Sequence, residues 1–191
     1  MKYCSNCGHL LDWLIPQGDD RPRHVCQSCE MIHYQNPKMV VGCIPEWEDK
    51  ILLCRRNIEP QKGLWTLPAG FLENGETIAD GAIRETREET GATVVDLQPY
   101  LLFDIVHIQQ IYMMFRSRLL MPEFHSTPES SEVDLFAQKE IPWEEIAFRV
   151  IDKTLRNYFE DKRSGKFSFQ IQKIETPAKY DTKSNISLKE S

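Results

Sequence analysis

The stretch "RETREETG", residues 84–91, sets three glutamates among two arginines. On a helix Glu85, Glu88 and Glu89 stand at i, i+3 and i+4, so they share one face and repel one another by about a few tenths of a kcal/mol per pair. Hard oxygen donors in that arrangement suit Mg²⁺ or Mn²⁺, and a bound divalent ion turns the repulsion into attraction. Taken alone, the eight residues equally describe a solvated helix face laced by pairs such as Arg84 with Glu88.

A second group of residues points to different chemistry. Cys4-x2-Cys7 and Cys26-x2-Cys29 are separated by eighteen residues, the spacing of a two-knuckle, four-thiolate Zn²⁺ site. Gly8 directly after Cys7 suits the tight knuckle. Four sulfurs close the coordination shell, so this zinc is structural and lets a segment too small for its own core fold. Two matched pairs argue against a redox dithiol. His9, His24 and His33 lie near the cysteines but are not assigned as ligands. Cys43 and Cys54 fall in the apolar runs "KMVVGCI" and "KILLCRR" and read as small buried hydrophobes.

The elements that position the glutamates follow from pattern. Thr77 with Asp80 three residues on makes a capping-box-like start, and Gly91 stands where a left-handed C-cap is wanted, which predicts a helix over about 77–90. Strands are expected near 38–44 and 50–55, in "TVVDLQPYLLFDIV" and "QQIYMMFRSRLL", and in "EVDLFAQKEI". From Pro142 to about Asp161, Ile146, Val150, Ile151, Leu155 and Phe159 recur at helical spacing. The expected division is a four-cysteine ribbon over 1–36, a mixed α/β domain over 37–162, and a polar, partly disordered tail over 163–191 containing one alternating piece, "KFSFQIQ".

The longer stretch "GFLENGETIADGAIRETREETGA", residues 70–92, carries Gly70, Glu76, Arg84-Glu85, Glu88-Glu89 and Gly91 in one register. It resembles the Nudix box, the signature of the Nudix hydrolase superfamily, at every charged and glycine position. Thr86 and Ala92 stand where the family pattern has bulky aliphatic residues. The resemblance implies a Nudix α/β/α sandwich with a mixed β-sheet, here preceded by a small zinc ribbon. It makes Glu85, Glu88 and Glu89 the ligands of catalytic Mg²⁺ or Mn²⁺, and Glu76 with Arg84 a brace between loop and helix. A further carboxylate is expected from outside the helix, with Glu132 the first choice and Glu129 the second.

A four-cysteine ribbon ahead of such a domain is similar to the zinc-ribbon branch of the superfamily, with its NADH pyrophosphatases and its ADP-ribose- and FAD-type enzymes. The resemblance implies hydrolysis of a nucleoside diphosphate linked to another group, ADP-ribose or FAD foremost, to AMP and a phosphate monoester. NADH or NAD-cap hydrolysis is the alternative. It is disfavoured because the Ser-Gln-Pro-Trp-Pro-Phe-Pro segment of NADH-cleaving members is echoed only at Gln98-Pro99. A non-catalytic nucleotide sensor is the rival of another class; it would carry a spoiled box, and this box keeps every charge. Tyr34, Phe71, Tyr100, Phe103 and Tyr112 are candidates to stack on a base, and Arg55, Arg56 and Lys62 to meet phosphates.

Composition sets the outer bounds. The 191 residues are 41% hydrophobic and 27% charged, ordinary globular material. A formal charge of −6 argues against duplex nucleic acid as the main partner, although a local basic patch can hide in an acidic average. No apolar run reaches the roughly 18 residues of a membrane span, and the polar, Cys-bearing start is unlike a signal peptide. The expectation is a cytoplasmic protein acting on a small dinucleotide, without membrane or nucleic-acid partners; homodimerisation is admitted by family resemblance only.

Overall fold

The computed structural model describes residues 1–175. The chain forms two compact units, Met1–Pro37 and a second beginning at Lys38. In the first, β1 (Asp12–Leu14), β2 (Arg23–Val25) and β3 (Ile32–His33) make an antiparallel sheet in that order. Each cysteine knuckle closes on a backbone bond: Gly8 N–H donates to the Cys4 carbonyl at 2.9 Å and Glu30 N–H to the Cys26 carbonyl at 2.8 Å. Both donors follow the second cysteine of their pair and take positive φ, 77° and 59°. The first knuckle therefore uses the glycine that the sequence advertises, and the second accepts the strain at a glutamate.

The second unit is built on β4 (Lys38–Trp47), β5 (Lys50–Arg56), β8 (Val94–Ile105), β9 (Gln110–Leu119), β10 (Ser130–Phe136) and β11 (Gln170–Lys173), in the order β10-β5-β4-β9-β8-β11. Pairings β4–β9 and β8–β11 are parallel and the others antiparallel, so the sheet is mixed. Short strands β6 (Trp65–Thr66) and β7 (Ala69–Phe71) pair with β5 and β4. Alternation along the central strands feeds two cores. Val41, Cys43 and Leu52 pack with Ala82 of α1 (Ile78–Thr90), while Ile44, Ile51 and Leu53 pack with Ile151, Leu155 and Phe159 of α2 (Arg149–Ser164). A helix on each face of a mixed sheet is an α/β/α sandwich, as expected from the resemblance. Cys43 and Cys54 are buried inside it. Among the described residues no helix is long and apolar enough to cross a membrane.

Two expectations need correction. The second helix begins at Arg149 and not near Pro142: residues Trp143–Glu145 form a 3₁₀ turn, and Ile146 is extended and bridges Trp65 in parallel. Its apolar side chain fits the helical period only by coincidence. Residues 163–175 are not tail, because α2 runs to Ser164 and the alternating piece becomes β11, hydrogen-bonded along β8. The anticipated disorder of 176–191 lies outside the described residues.

Gly42 is where the sheet most needs a missing side chain. A Cβ there would overlap Ala69 Cβ and lie 2.7 Å from the Pro68 carbonyl oxygen. Gly42→Ala is expected to push the β6–β7 connection outward and destabilise the domain by about 1–3 kcal/mol, read as a lowered melting temperature; an unchanged melt would show that this contact is not tight.

Candidate active site and zinc ribbon

Helix α1 is fixed at both ends as its sequence specifies. Thr77 Oγ1 accepts from Asp80 N–H at 3.2 Å and donates to Asp80 Oδ2 at 2.7 Å. Gly91 takes φ 70° and its N–H closes on the Arg87 carbonyl. His125 packs over Gly91 so closely that a Cβ would collide with its ring.

The three glutamates of α1 differ in environment. Glu89 is 6% exposed. Its Oε2 accepts from Ala69 N–H at 3.0 Å, and the Cys54 thiol lies 3.8 Å from the same oxygen. Burial pushes the Glu89 carboxyl up to about 8, with the Ala69 N–H opposing and the charge of Glu85 adding to the rise. Burial also pushes the Cys54 thiol well above its ordinary range, so it stays protonated and able to donate. Glu85 is raised too, first by burial and against the pull of Arg84. Its carboxylate fills the space beside Gly70, which any side chain at that position would occupy. Glu88 is the open member, its side chain 59% exposed.

Arg84 ties these groups together. Its Nη2 and Nε donate to Glu76 at 2.8 and 3.0 Å, its Nη1 to Glu85 at 2.8 Å and Glu88 at 3.0 Å, and Nη2 also to the Phe71 carbonyl. Hydrogen bonds from Arg84, then from Glu73 N–H, hold the Glu76 carboxyl down near about 2. One guanidinium thus braces the loop to the helix and screens two of the three carboxylates.

The late carboxylates are placed differently from each other. Glu132 on β10 faces Arg55 on β5 and accepts from its Nη1 at 2.8 Å. Glu129 precedes the strand, its carbonyl accepting Asn57 N–H at 2.7 Å, and its negative charge contributes to raising both Glu85 and Glu89. Arg56 contributes the opposite charge at Glu89, donates to the Pro60 carbonyl, and lies 5.1 Å over the Phe148 ring. Beyond it a cleft of about 240 Å³ is walled in part by Gln61, Ile105, Tyr112 and Phe148. Of the aromatic candidates, Tyr100 and Phe103 are core and Tyr34 lies in the ribbon under Arg23. Phe71 is exposed beside Lys38, which leaves Tyr112 in the cleft wall. The sequence held no sign of the roles of Ala69 N–H, Cys54 or Phe148, because each reaches the site only through folding.

In the ribbon the four cysteine sulfurs lie within 4.8 Å of one another and none is in a disulfide. A tetrahedral zinc with Zn–S near about 2.3 Å requires sulfurs about 3.8 Å apart; Cys4–Cys29 and Cys7–Cys26 stand at 3.7 and 3.4 Å. The donor set fits zinc. His33 Nε2, 3.3 Å from Cys4 Sγ, touches a ligand without replacing one. Protein purified under reducing conditions should therefore carry one zinc per chain by elemental analysis, and Cys26→Ser should lose it; a zinc-free folded ribbon would overturn the assignment.

The acidic face, by contrast, offers oxygen donors suited to a hard divalent ion. For the metal-free protein the sign is set by Glu89. Its folded pKa of about 8 exceeds the ordinary 4.5, so its contribution to stability is present at low pH and is lost as pH rises from about 5 through 8. Melting temperature measured without divalent ions should fall over that window, and Glu89→Gln, which keeps an acceptor for Ala69, should flatten the fall. A decline of equal size in the variant would mean that other groups cause it.

Comparison with known proteins places this geometry. Residues 2–35 match the family "Nudix N-terminal", a zinc ribbon, and residues 36–161 match the NUDIX domain. A crystal structure of a NUDIX hydrolase from Nitrosomonas europaea is 51% identical, with a TM-score of 0.88 over 92% of this chain and 100% of that one. An ADP-ribose pyrophosphatase of Methanocaldococcus jannaschii is 47% identical over 58 residues, 30% of this chain and 34% of that protein. A NAD-capped RNA hydrolase NudC of Vibrio parahaemolyticus is 30% identical over 172 residues, 84% of this chain and 62% of that protein. The chain thus spans less than two thirds of either of these two curated relatives. With a ribbon match, a domain match over most of its length, and a box whose charged groups are assembled around Arg84, the chain belongs to the Nudix hydrolase family.

Proposed function

We propose that the protein is a metal-dependent pyrophosphatase acting on a nucleoside diphosphate joined to a second group, of the ADP-ribose or FAD type, and releasing AMP and a phosphate monoester. The observation that carries this reading is the graded set of carboxylates on α1: Glu89 buried and clamped, Glu85 half-shielded under Arg84, Glu88 open to solvent, with the charge of Glu129 acting from the loop before β10. Glu85, Glu88, Glu89 and Glu129 would hold Mg²⁺ or Mn²⁺, which when bound supplies a polarised phosphoryl oxygen and a water of lowered pKa. The chain's own part is orientation. Ala69 N–H and the Cys54 thiol occupy Glu89 Oε2 and leave Oε1 for the ion, and Arg84 keeps Glu85 and Glu88 from swinging away. Arg56 stands between Glu89 and the cleft as the cation for a diphosphate oxygen, and Tyr112 with Phe148 would flank the attached ring.

We therefore favour Glu129 over Glu132 as the fourth carboxylate, since Glu132 is already paired with Arg55. ADP-ribose is favoured by the Methanocaldococcus relative. The NAD-cap reading draws on the longer Vibrio alignment. Against it, the aromatic residue after Gln98-Pro99 is Tyr100, 1% exposed with its hydroxyl donating to Asp161 at 2.8 Å. That ring is structural here.

A panel of ADP-ribose, FAD, NADH, NAD, CoA and diadenosine polyphosphates, with Mg²⁺ or Mn²⁺ and products separated by mass, tests the proposal. ADP-ribose or FAD should yield AMP, Glu88→Gln and Glu129→Gln should each cost about 100-fold or more in kcat, and Glu132→Gln should cost little. Tight binding of these compounds without turnover would favour a sensor instead, and a reversed order of the last two variants would restore Glu132 as ligand.

A further inference from the structure

The last turn of a helix ends in carbonyls that have no partner within the helix, and at the end of α1 the segment between β9 and β10 supplies partners. His125 N–H donates to the Thr90 carbonyl at 2.9 Å, and the Thr127 hydroxyl donates to the Glu89 carbonyl at 3.3 Å. The same hydroxyl accepts from Glu129 N–H at 3.3 Å and from Ser130 N–H at 3.1 Å. One donor and two lone pairs are the whole capacity of a hydroxyl, so Thr127 is fully used, and two of its three partners are the backbones of Glu89 and Glu129. Thr127 and Ser130 also exchange both backbone hydrogen bonds, at 2.9 and 3.2 Å. Pro128 takes the first inner position of this turn, where its fixed φ is favourable, and Glu129 takes the second. On the other side Asn57, which follows Arg56 at the end of β5, holds the turn twice. Its N–H donates to the Glu129 carbonyl at 2.7 Å and its Nδ2 to the Pro128 carbonyl at 3.0 Å. The Glu129 backbone is thus held at both its N–H and its carbonyl, while the residue itself stays exposed.

We propose that Thr127 and Asn57 are positioning residues for the metal-binding carboxylates, Thr127 by bridging the backbones of Glu89 and Glu129 through one hydroxyl, Asn57 by tying the Glu129 turn to the strand end that carries Arg56. The proposal rests on the reading of Glu89 and Glu129 as ligands of Mg²⁺ or Mn²⁺, and deepens it. The carboxylate from outside the helix is registered on the end of α1 itself, so the helix that carries three donors also places the fourth. Glu132 receives none of these bonds and meets Arg55 instead. A valine at position 127 keeps the shape of threonine and removes all three hydroxyl bonds, while the backbone bonds between residues 127 and 130 remain. The expected damage is therefore to the placement of Glu129 and not to the fold.

The test uses the full-length protein, with Mn²⁺ binding followed by electron paramagnetic resonance in the absence of substrate, and hydrolysis of ADP-ribose. Thr127→Val and Asn57→Ala are each expected to weaken Mn²⁺ binding and to lower kcat by about tenfold or more, with KM within about threefold of wild type. Thr127→Ser, which keeps the hydroxyl, should recover most of the loss. In a Glu129→Gln background Thr127→Val should cost at most about twofold more, because the carboxylate that it places is gone. An equal loss in both backgrounds makes the hydroxyl merely structural and overturns its role, and unchanged Mn²⁺ binding and kcat in either single variant removes that residue from the proposal. Should Thr127→Val fail to fold, Asn57→Ala in the two backgrounds decides by the same comparison. If Glu129→Gln itself binds Mn²⁺ and turns over as the wild type does, the ligand reading of Glu129 fails and the positioning role falls with it. If the wild type cleaves no ADP-ribose while Thr127→Val still weakens Mn²⁺ binding, the positioning role stands and the failure belongs to the substrate reading alone.

Discussion

A carboxylate with almost no exposure and no direct cation, Glu89, is the constraint around which the catalytic unit is arranged. Leaving a negative charge in such a place is costly, and the fold answers with dipoles: an N–H from Ala69 and a thiol from Cys54. Both donors must arrive from elements distant in sequence. Cys54 comes from the buried run of β5, and Ala69 is held against β4 by a strand pairing that requires Gly42 to have no side chain. The neighbouring Glu85 imposes the same demand on Gly70. Two glycines therefore give up packing so that two carboxylates can be drawn beneath the surface.

The two metal chemistries of this chain are opposed in kind. The ribbon gathers soft sulfurs into a closed shell that satisfies itself, and its role ends with folding. The box gathers hard oxygens that are incompletely neutralised, with Arg84 serving two of three, so the site keeps an affinity for added charge. A soft ion in the ribbon and a hard divalent ion at the box would coexist without exchange because ligand softness sorts them.

What could be read from the sequence was local. Thr77 and Gly91 fix the ends of α1 by capping chemistry confined to four residues, the cysteine spacing fixes the ribbon, and the alternation of β4 and β5 fixes which side chains are buried. The misreadings arose where a side chain obeys one period and serves another partner. Ile146 falls on the helical stripe yet bridges Trp65, and "KFSFQIQ" is too polar to announce a core strand because it lies at the sheet edge. Glu132 and Glu129 are three residues apart, and the chain alone gives no sign that Glu132 meets Arg55 across the β10–β5 pairing while Glu129 precedes the strand, because strand pairing leaves no compositional trace.

The placement of β11 bears on where this domain can be said to end. The NUDIX match stops at residue 161, yet nine residues later, at Gln170, the chain returns to pair with the free side of β8, with Ile174 buried behind it. A protein trimmed at the family boundary would keep every glutamate of the box and uncover the Leu101–Asp104 edge of β8, a run of unpaired backbone groups, the kind of surface on which chains associate with one another. Such a fragment would be chemically complete and colloidally unsound.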